Sequence, residues 1–309
     1  METAGVPVAA PARADRTGAW PDLDLPNVLW FFGAVIAAAA SVAIIDKIPE
    51  SHRDVWELLG SLGFLAAYAL AARLLIRNGW RIPGGLMAAD AAVMVPAAGY
   101  GFTRLIDVYP KDSFFDPFQD FSGAVFGIGC ATIVAGLLAY ALTRVTASLF
   151  VVVLAVQLTA QLLATSWDAS GDGRSVTAIV VGGALVLIGL GLDAVGRRRE
   201  AFWLHLGGFA GIAGALAYFS LVSEDGERHG WLPMLIAGSC VLLLAGPLRR
   251  RVWATFGAAG IGGAFIHYVQ SKGDWFAYFL LGLALVVFAL GLLVYASPRR
   301  EAAPTPAEP

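Results

Sequence analysis

The chain has 309 residues, 58% of them apolar and 14% charged, with a net charge of −2 and a mean hydropathy of +0.71. A soluble domain is about 45–50% apolar and about 25% charged, so this excess is more than a soluble globule of such length can bury, and lipid is the solvent that accepts it. The near-neutral charge, with no basic tract, excludes the electrostatic footprint of nucleic-acid binding.

Residues 1–27 are rich in Ala and Pro and carry Glu2, Asp15, Asp22 and Asp24 against Arg13 and Arg16. They read as a disordered cytoplasmic tail. A secretory signal would set positive charge directly before its apolar run. Asp22 and Asp24 stand there instead, so the first run reads as an uncleaved helix, although residues 37–41 resemble a cleavage site. A membrane-spanning helix needs about 20 mostly apolar residues. Such runs fall at 28–45, 55–76, 84–106, 121–142 and 148–167, then at 176–192, 201–222, 231–248, 252–269 and 275–295. The third is the weakest, since it holds Asp90, Pro96 and Arg104. Residues 299–309 read as a second disordered cytoplasmic tail. The expected fold class is all-α: a polytopic transmembrane helix bundle of about ten helices over residues 28–298.

Charge tests the count. With ten spans, one side collects Arg13, Arg16, Arg73, Arg77, Arg81, Arg144, Arg197, Arg198, Arg199, Arg249, Arg250, Arg251, Arg299 and Arg300. The other has Lys47, Arg53, Arg104, Lys111, Arg174, Arg228 and Lys272. This asymmetry places both termini in the cytoplasm by the positive-inside rule, and a missed helix would break the alternation. Tryptophans at helix ends (Trp30, Trp56, Trp80, Trp167, Trp203, Trp231, Trp253, Trp275) predict an interfacial aromatic belt.

The basic clusters at Arg144, 197–199, 249–251 and 299–300 recur at a nearly constant interval that holds two helices and a short outer loop. Gly211-Ile212-Ala213-Gly214-Ala215 parallels Gly260-Ile261-Gly262-Gly263-Ala264. The pattern predicts a repeated two-helix hairpin, although any tightly looped bundle shows similar spacing. Such units would give parallel repeats, whereas the inverted repeats of many transporters need an odd number of helices. The GxxxG steps Gly123/Gly127 and Gly207/Gly211 predict close helix packing.

An ionisable group in the bilayer costs about 2.5–3.5 kcal/mol on insertion scales and marks a functional hypothesis. Asp90 lies about 9 Å from the cytoplasmic end of its helix, at 1.5 Å per residue. It is either a protonatable group in a transport path or a structural partner of Arg73, Arg77 or a helix-end amide. Gln157 and Gln161 are one turn apart, with Thr165 a further turn along, and form a stripe that must face protein or water. His205 and His267 fall near opposite sides of the bilayer and share no metal site; each reads first as an interfacial histidine. Asp90, Gln157, Gln161 and His205 together make the candidate intramembrane polar pathway. In the outer loop at 106–120, Asp112, Asp116 and Asp120 alternate with Phe114, Phe115 and Phe118. Pro110 and Pro117 break any regular helix there, so a solvated acidic face is preferred to a cation site. Cys130 and Cys240 sit in apolar runs as small packing residues. No P-loop, HExxH, GxSxG or Ser/His/Asp pattern occurs, so neither an enzyme nor a cofactor is expected.

Through Ala201-Phe202-Trp203-Leu204-His205-Leu206-Gly207 and Arg249-Arg250-Arg251-Val252-Trp253-Ala254-Thr255-Phe256-Gly257, the C-terminal half resembles uncharacterised bacterial multi-pass membrane proteins. That resemblance implies a bundle in the bacterial inner membrane and no particular activity. The sequence thus points to a non-enzymatic structural or accessory protein of the envelope, partnered by the lipid bilayer and by other membrane proteins or further copies of itself. The alternative is a small-solute transporter of unknown substrate. Length and helix count are similar to those of the drug/metabolite exporters, from which the two-helix period and long acidic loop depart.

Overall fold

The computed structural model of the chain describes residues 25–47, 53–109, 121–166, 171–221, 230–248 and 250–272. Every regular element among these residues is an α-helix: α1 (Leu25–Asp46), α2 (Arg53–Arg77), α3 (Arg81–Leu105), α4 (Gly123–Thr143), α5 (Ser148–Ala164), α6 (Gly171–Ala194), α7 (Arg198–Leu221), α8 (Trp231–Leu248) and α9 (Arg251–Lys272). Nine of the expected spans thus appear as helices within a few residues of their expected ends. The tenth run, residues 1–24 of the first tail, the second tail and the carboxylates at Asp112, Asp116 and Asp120 lie outside the described residues, while residues 25–27, expected in the first tail, already belong to α1.

A helix closes its own backbone hydrogen bonds, which lipid cannot do for it. Five of the helical segments (Val55–Arg77, Arg81–Leu105, Gly123–Thr143, Asp172–Ala194 and Arg198–Leu221) are long and apolar enough to cross a membrane. Large apolar side chains along the helices also point outward. Phe32, Val35, Leu187 and Leu243 are exposed, and Leu142 is 82% exposed; a surface this apolar belongs against lipid.

Consecutive helices joined by basic turns pack closely, α2 with α3, α4 with α5, α6 with α7 and α8 with α9, although α4 packs on α3 to the same extent as on α5. The connections inside these pairs are the short arginine-bearing turns. Gly79 (φ 85°) and Gly196 (φ 80°) take the left-handed conformation that ends α2 and α6, and Arg144 (φ 57°) does so after α4. The pairs are out of step with the interval between basic clusters, because the tightest partners share a basic turn. Gly211 and Gly260, equivalent in the sequence pattern, meet different neighbours: Gln157 of α5 and Gly238 of α8.

The span with the weakest sequence signal is the most buried of the five long ones. Half of α3 is buried, more than of the other four long spans, and it packs on α1, α2, α4 and α5. This is the physical answer to Asp90: an acid is tolerated on a helix where protein replaces lipid around it.

The closest crossings are glycine on glycine. A Cβ on Gly182 of α6 would lie 2.5 Å from the Gly208 carbonyl oxygen of α7, and one on Gly208 would lie 2.6 Å from that of Gly182. Gly238 of α8 and Gly257 of α9 repeat the arrangement at 3.0 and 2.8 Å. Backbones that touch gain van der Waals contact where lipid supplies no hydrophobic drive. Gly182→Ala is therefore expected to lower stability in detergent by about 1–3 kcal/mol. Its neighbour Gly183, with nothing within 4 Å, should accept alanine with no loss or a gain of up to about 1 kcal/mol. Thermal melts that fall equally for both variants would contradict this account.

Candidate functional site

The polar groups of the interior divide into three places. The first is on α3. Asp90 is buried, and its Oδ2 meets no hydrogen-bond partner among the described residues. Among the described residues it makes no ion pair, so the pairing with Arg73 or Arg77 that its position allowed is not formed. Those two arginines lie exposed along α2.

The second place is the seam between α5 and α7. Gln157 is buried, and its Nε2 donates to the Gly207 carbonyl oxygen across 3.5 Å, a long and weak bond. Its Oε1 has no partner among the described residues. The seam exists because Gly207 and Gly211 lack side chains: a Cβ at Gly207 would collide with Val153, and one at Gly211 with the Gln157 amide. One GxxxG step is thus a packing device, as its spacing predicted. The other, Gly123/Gly127, has nothing within 4 Å of either position, while Gly129 of the same helix makes room for Thr159. Gln161 is half-buried, one turn along α5.

The third place, at the arginine-rich end of α6, α7 and α9, is the most elaborate. His205 of α7 is fully buried instead of facing an interface. Its imidazole fits a gap left by Gly189 on α6, where a Cβ would lie 2.8 Å from Cε1 and 2.9 Å from Nδ1. Asp193, one turn further along α6, holds His205 Nε2 at 3.1 Å through Oδ2. Its other oxygen, Oδ1, accepts from Arg250 Nη2, in the connection between α8 and α9. One carboxylate therefore joins three helical segments. The Arg250 side chain is 7% exposed, and burial lowers its pKa; an arginine stays charged even so, and Asp193 is its counter-charge. Aromatic rings close the cluster. Trp253 meets His205 edge-on at 5.4 Å and Phe209 at 5.0 Å, and Phe256 stacks on Phe209 at 5.5 Å. Among the described residues, His205 Nδ1 and Trp253 Nε1 have no hydrogen-bond partner.

Beside this cluster, Arg197 donates to the Tyr140 hydroxyl of α4 at 2.8 Å, and that hydroxyl donates to Glu200 Oε1 at 2.8 Å. Hydrogen bonds to Tyr140 and then to Glu200 raise the Arg197 pKa. At the far end of α9, His267 stacks on Trp231 of α8, with ring centroids 4.3 Å apart.

Asp90, Gln157 and His205 occupy separate helices and have separate neighbours; the α5–α7 seam links Gln157 to the helix that carries His205. Three grooves, between α2, α3 and α4, between α3, α4 and α5, and between α7, α8 and α9, have linings that are almost wholly apolar and include none of the four candidate residues. Among the described residues, no group of three or more His, Cys, Asp or Glu could hold a metal ion.

Asp193 and the pairing role of Arg250 escaped the reading of the sequence. An acid two residues from a helix end reads as interfacial, and Arg250 reads as one of three topology-setting charges. The available signal was a lone acid amid basic turns. Trp253 was assigned to the belt and is instead 4% exposed, within the cluster. Glu57 on α2, also buried, had not been singled out.

Comparison with known proteins gives no match to any protein-family model, curated protein or solved structure.

Asp193→Ala leaves Arg250 buried without its counter-charge and should cost about 3 kcal/mol. Combining it with Arg250→Met should recover most of that loss. Thermal unfolding of the two single variants and the double variant in detergent checks the coupling; strictly additive losses would show that the pair is not one unit.

Proposed function

We propose that the chain is a non-enzymatic structural or accessory protein of the bacterial cell envelope, with ten helices in the inner membrane and both termini in the cytoplasm. The observation that carries this reading is where the interior polar groups sit. Gln157 lies against Gly211, His205 is locked between Gly189, Asp193 and Trp253, and the three grooves bypass both. Groups held in packed seams serve helix association. The arginine-bearing turns at Arg77 and Arg81, Arg144, Arg197 and Arg250 all join consecutive helices in the sense that cytoplasmic connections require. The glycine crossings of α6/α7 and α8/α9 support a recurring hairpin, phased on the basic turns. Lipid, other membrane proteins and further copies of the chain are its natural partners, and the resemblance of its C-terminal half to uncharacterised bacterial multi-pass membrane proteins agrees with this setting.

One observation favours the alternative, a small-solute transporter with a mid-membrane polar pathway. Asp90 Oδ2 and Gln157 Oε1 are buried acceptors without partners, and a passing solute or water could meet them. Cysteine accessibility separates the two readings. Cys130 and Cys240 are free thiols and would first be replaced. Single cysteines at Asp90, Gln157 and Gln161 are then expected to resist an impermeant thiol reagent from either side, while one at Arg198 labels from the cytoplasmic side alone. Labelling at the glutamine positions would move transport to the front.

A further inference from the structure

The groove between α2, α3 and α4 has a volume of about 590 Å³. Its floor is α3, where Ala88, Ala91 and Ala92 are too small to fill the space between the neighbouring helices. Its walls are α2, from Leu65 to Arg77, and α4, with Leu138 and Leu142. Thr143 and two arginines are the polar residues of the lining, and all three gather at one end. Arg73 and Arg77 are one turn apart on α2 and exposed. Among the described residues neither has a hydrogen bond or ion pair.

The dimensions fit one occupant. From Leu65 to Arg77 the wall runs about 18 Å at 1.5 Å per residue, close to one leaflet of a hydrocarbon core about 30 Å thick. We propose that this groove is a binding site for an anionic diacyl phospholipid of the arginine-side leaflet. One acyl chain lies on the alanine floor between α2 and α4, and the headgroup phosphate lies against Arg73 and Arg77. Basic pockets between helices on the cytoplasmic side recognise such headgroups through the same pairing, and a guanidinium suits a phosphate through its fork of donors. The charge selects the anionic lipid; the floor selects a lipid over a free anion.

Native mass spectrometry of the full chain, released from micelles containing phosphatidylglycerol or phosphatidylcholine, tests the site. The wild type should retain one phosphatidylglycerol with about tenfold preference over phosphatidylcholine. Arg73→Gln with Arg77→Gln should abolish that preference. Ala91→Phe, which fills the half-buried floor, should reduce retention of both lipids. Arg198→Gln with Arg199→Gln, which removes exposed charge at the same end outside the groove, should change nothing, and inorganic phosphate should not displace the lipid. The site is overturned if the Arg198/Arg199 variant loses the preference as fully as the Arg73/Arg77 variant. It is equally overturned if phosphate competes, or if Ala91→Phe leaves retention intact.

Discussion

Within a bilayer no water is available to a charged side chain, so any ion retained there must find its partners in the protein. In this chain the same need for partners reaches the helix ends, where Asp193 stands 16% exposed at the arginine-rich end of α6. Its carboxylate is satisfied only because His205 comes from α7 and Arg250 from the turn before α9. Both arrivals depend on how close the helices stand. His205 reaches Asp193 only through the space that Gly189 leaves, and α6 and α7 can come together because Gly182 and Gly208 bring backbone to backbone. The ion cluster and the glycine crossings are therefore one device: small residues set the separation, and the cluster fixes the register at which it is useful.

The same logic organises the rest of the bundle. Gly207 and Gly211 admit Val153 and Gln157, so α5 lies against α7. Tyr140 bridges Arg197 and Glu200, which ties α4 to the start of α7. Helix α7 thus receives a polar tie from α4, a glycine seam from α5, and both from α6. At the other end of the chain, α3 plays the comparable part and hides Asp90 among α1, α2, α4 and α5. Where the small residues of α3 are not covered, a groove opens between α2 and α4, with arginines at its mouth. Packing economy in the centre and a lipid-sized opening at the edge follow from one alanine-rich helix.

Most of this architecture was legible in the sequence. Long apolar runs, divided by arginines and bounded by glycines at 79 and 196, locate the helices because length and charge alone decide what crosses a bilayer. Depth was less legible. The polarity that weakened the hydropathy of α3 is what assigns it an interior position, and a window average cannot separate a poor span from a buried one. The two GxxxG steps look alike in sequence, yet among the described residues only Gly207/Gly211 meets a partner, since spacing does not tell which face turns inward. Asp193, Arg250 and Trp253 were hidden for a related reason: each sits where topology already accounts for a charge or an indole, and their convergence is a matter of tertiary contact.

The central claim is that the polar groups inside the bundle are packed and dry. Hydroxyl-radical footprinting in lipid nanodiscs reports on it directly, because oxidation requires water beside the side chain. Met94 lies one turn from Asp90 and is fully buried, and Trp253 lies edge-on to His205. Trp80, in the turn between α2 and α3, is 56% exposed and serves as the reference. The account predicts rapid oxidation of Trp80 with Met94 and Trp253 left intact on the same timescale. Oxidation of Met94 and Trp253 at a rate comparable with Trp80 would mean that water reaches the polar groups, and the packed interior would have to be abandoned.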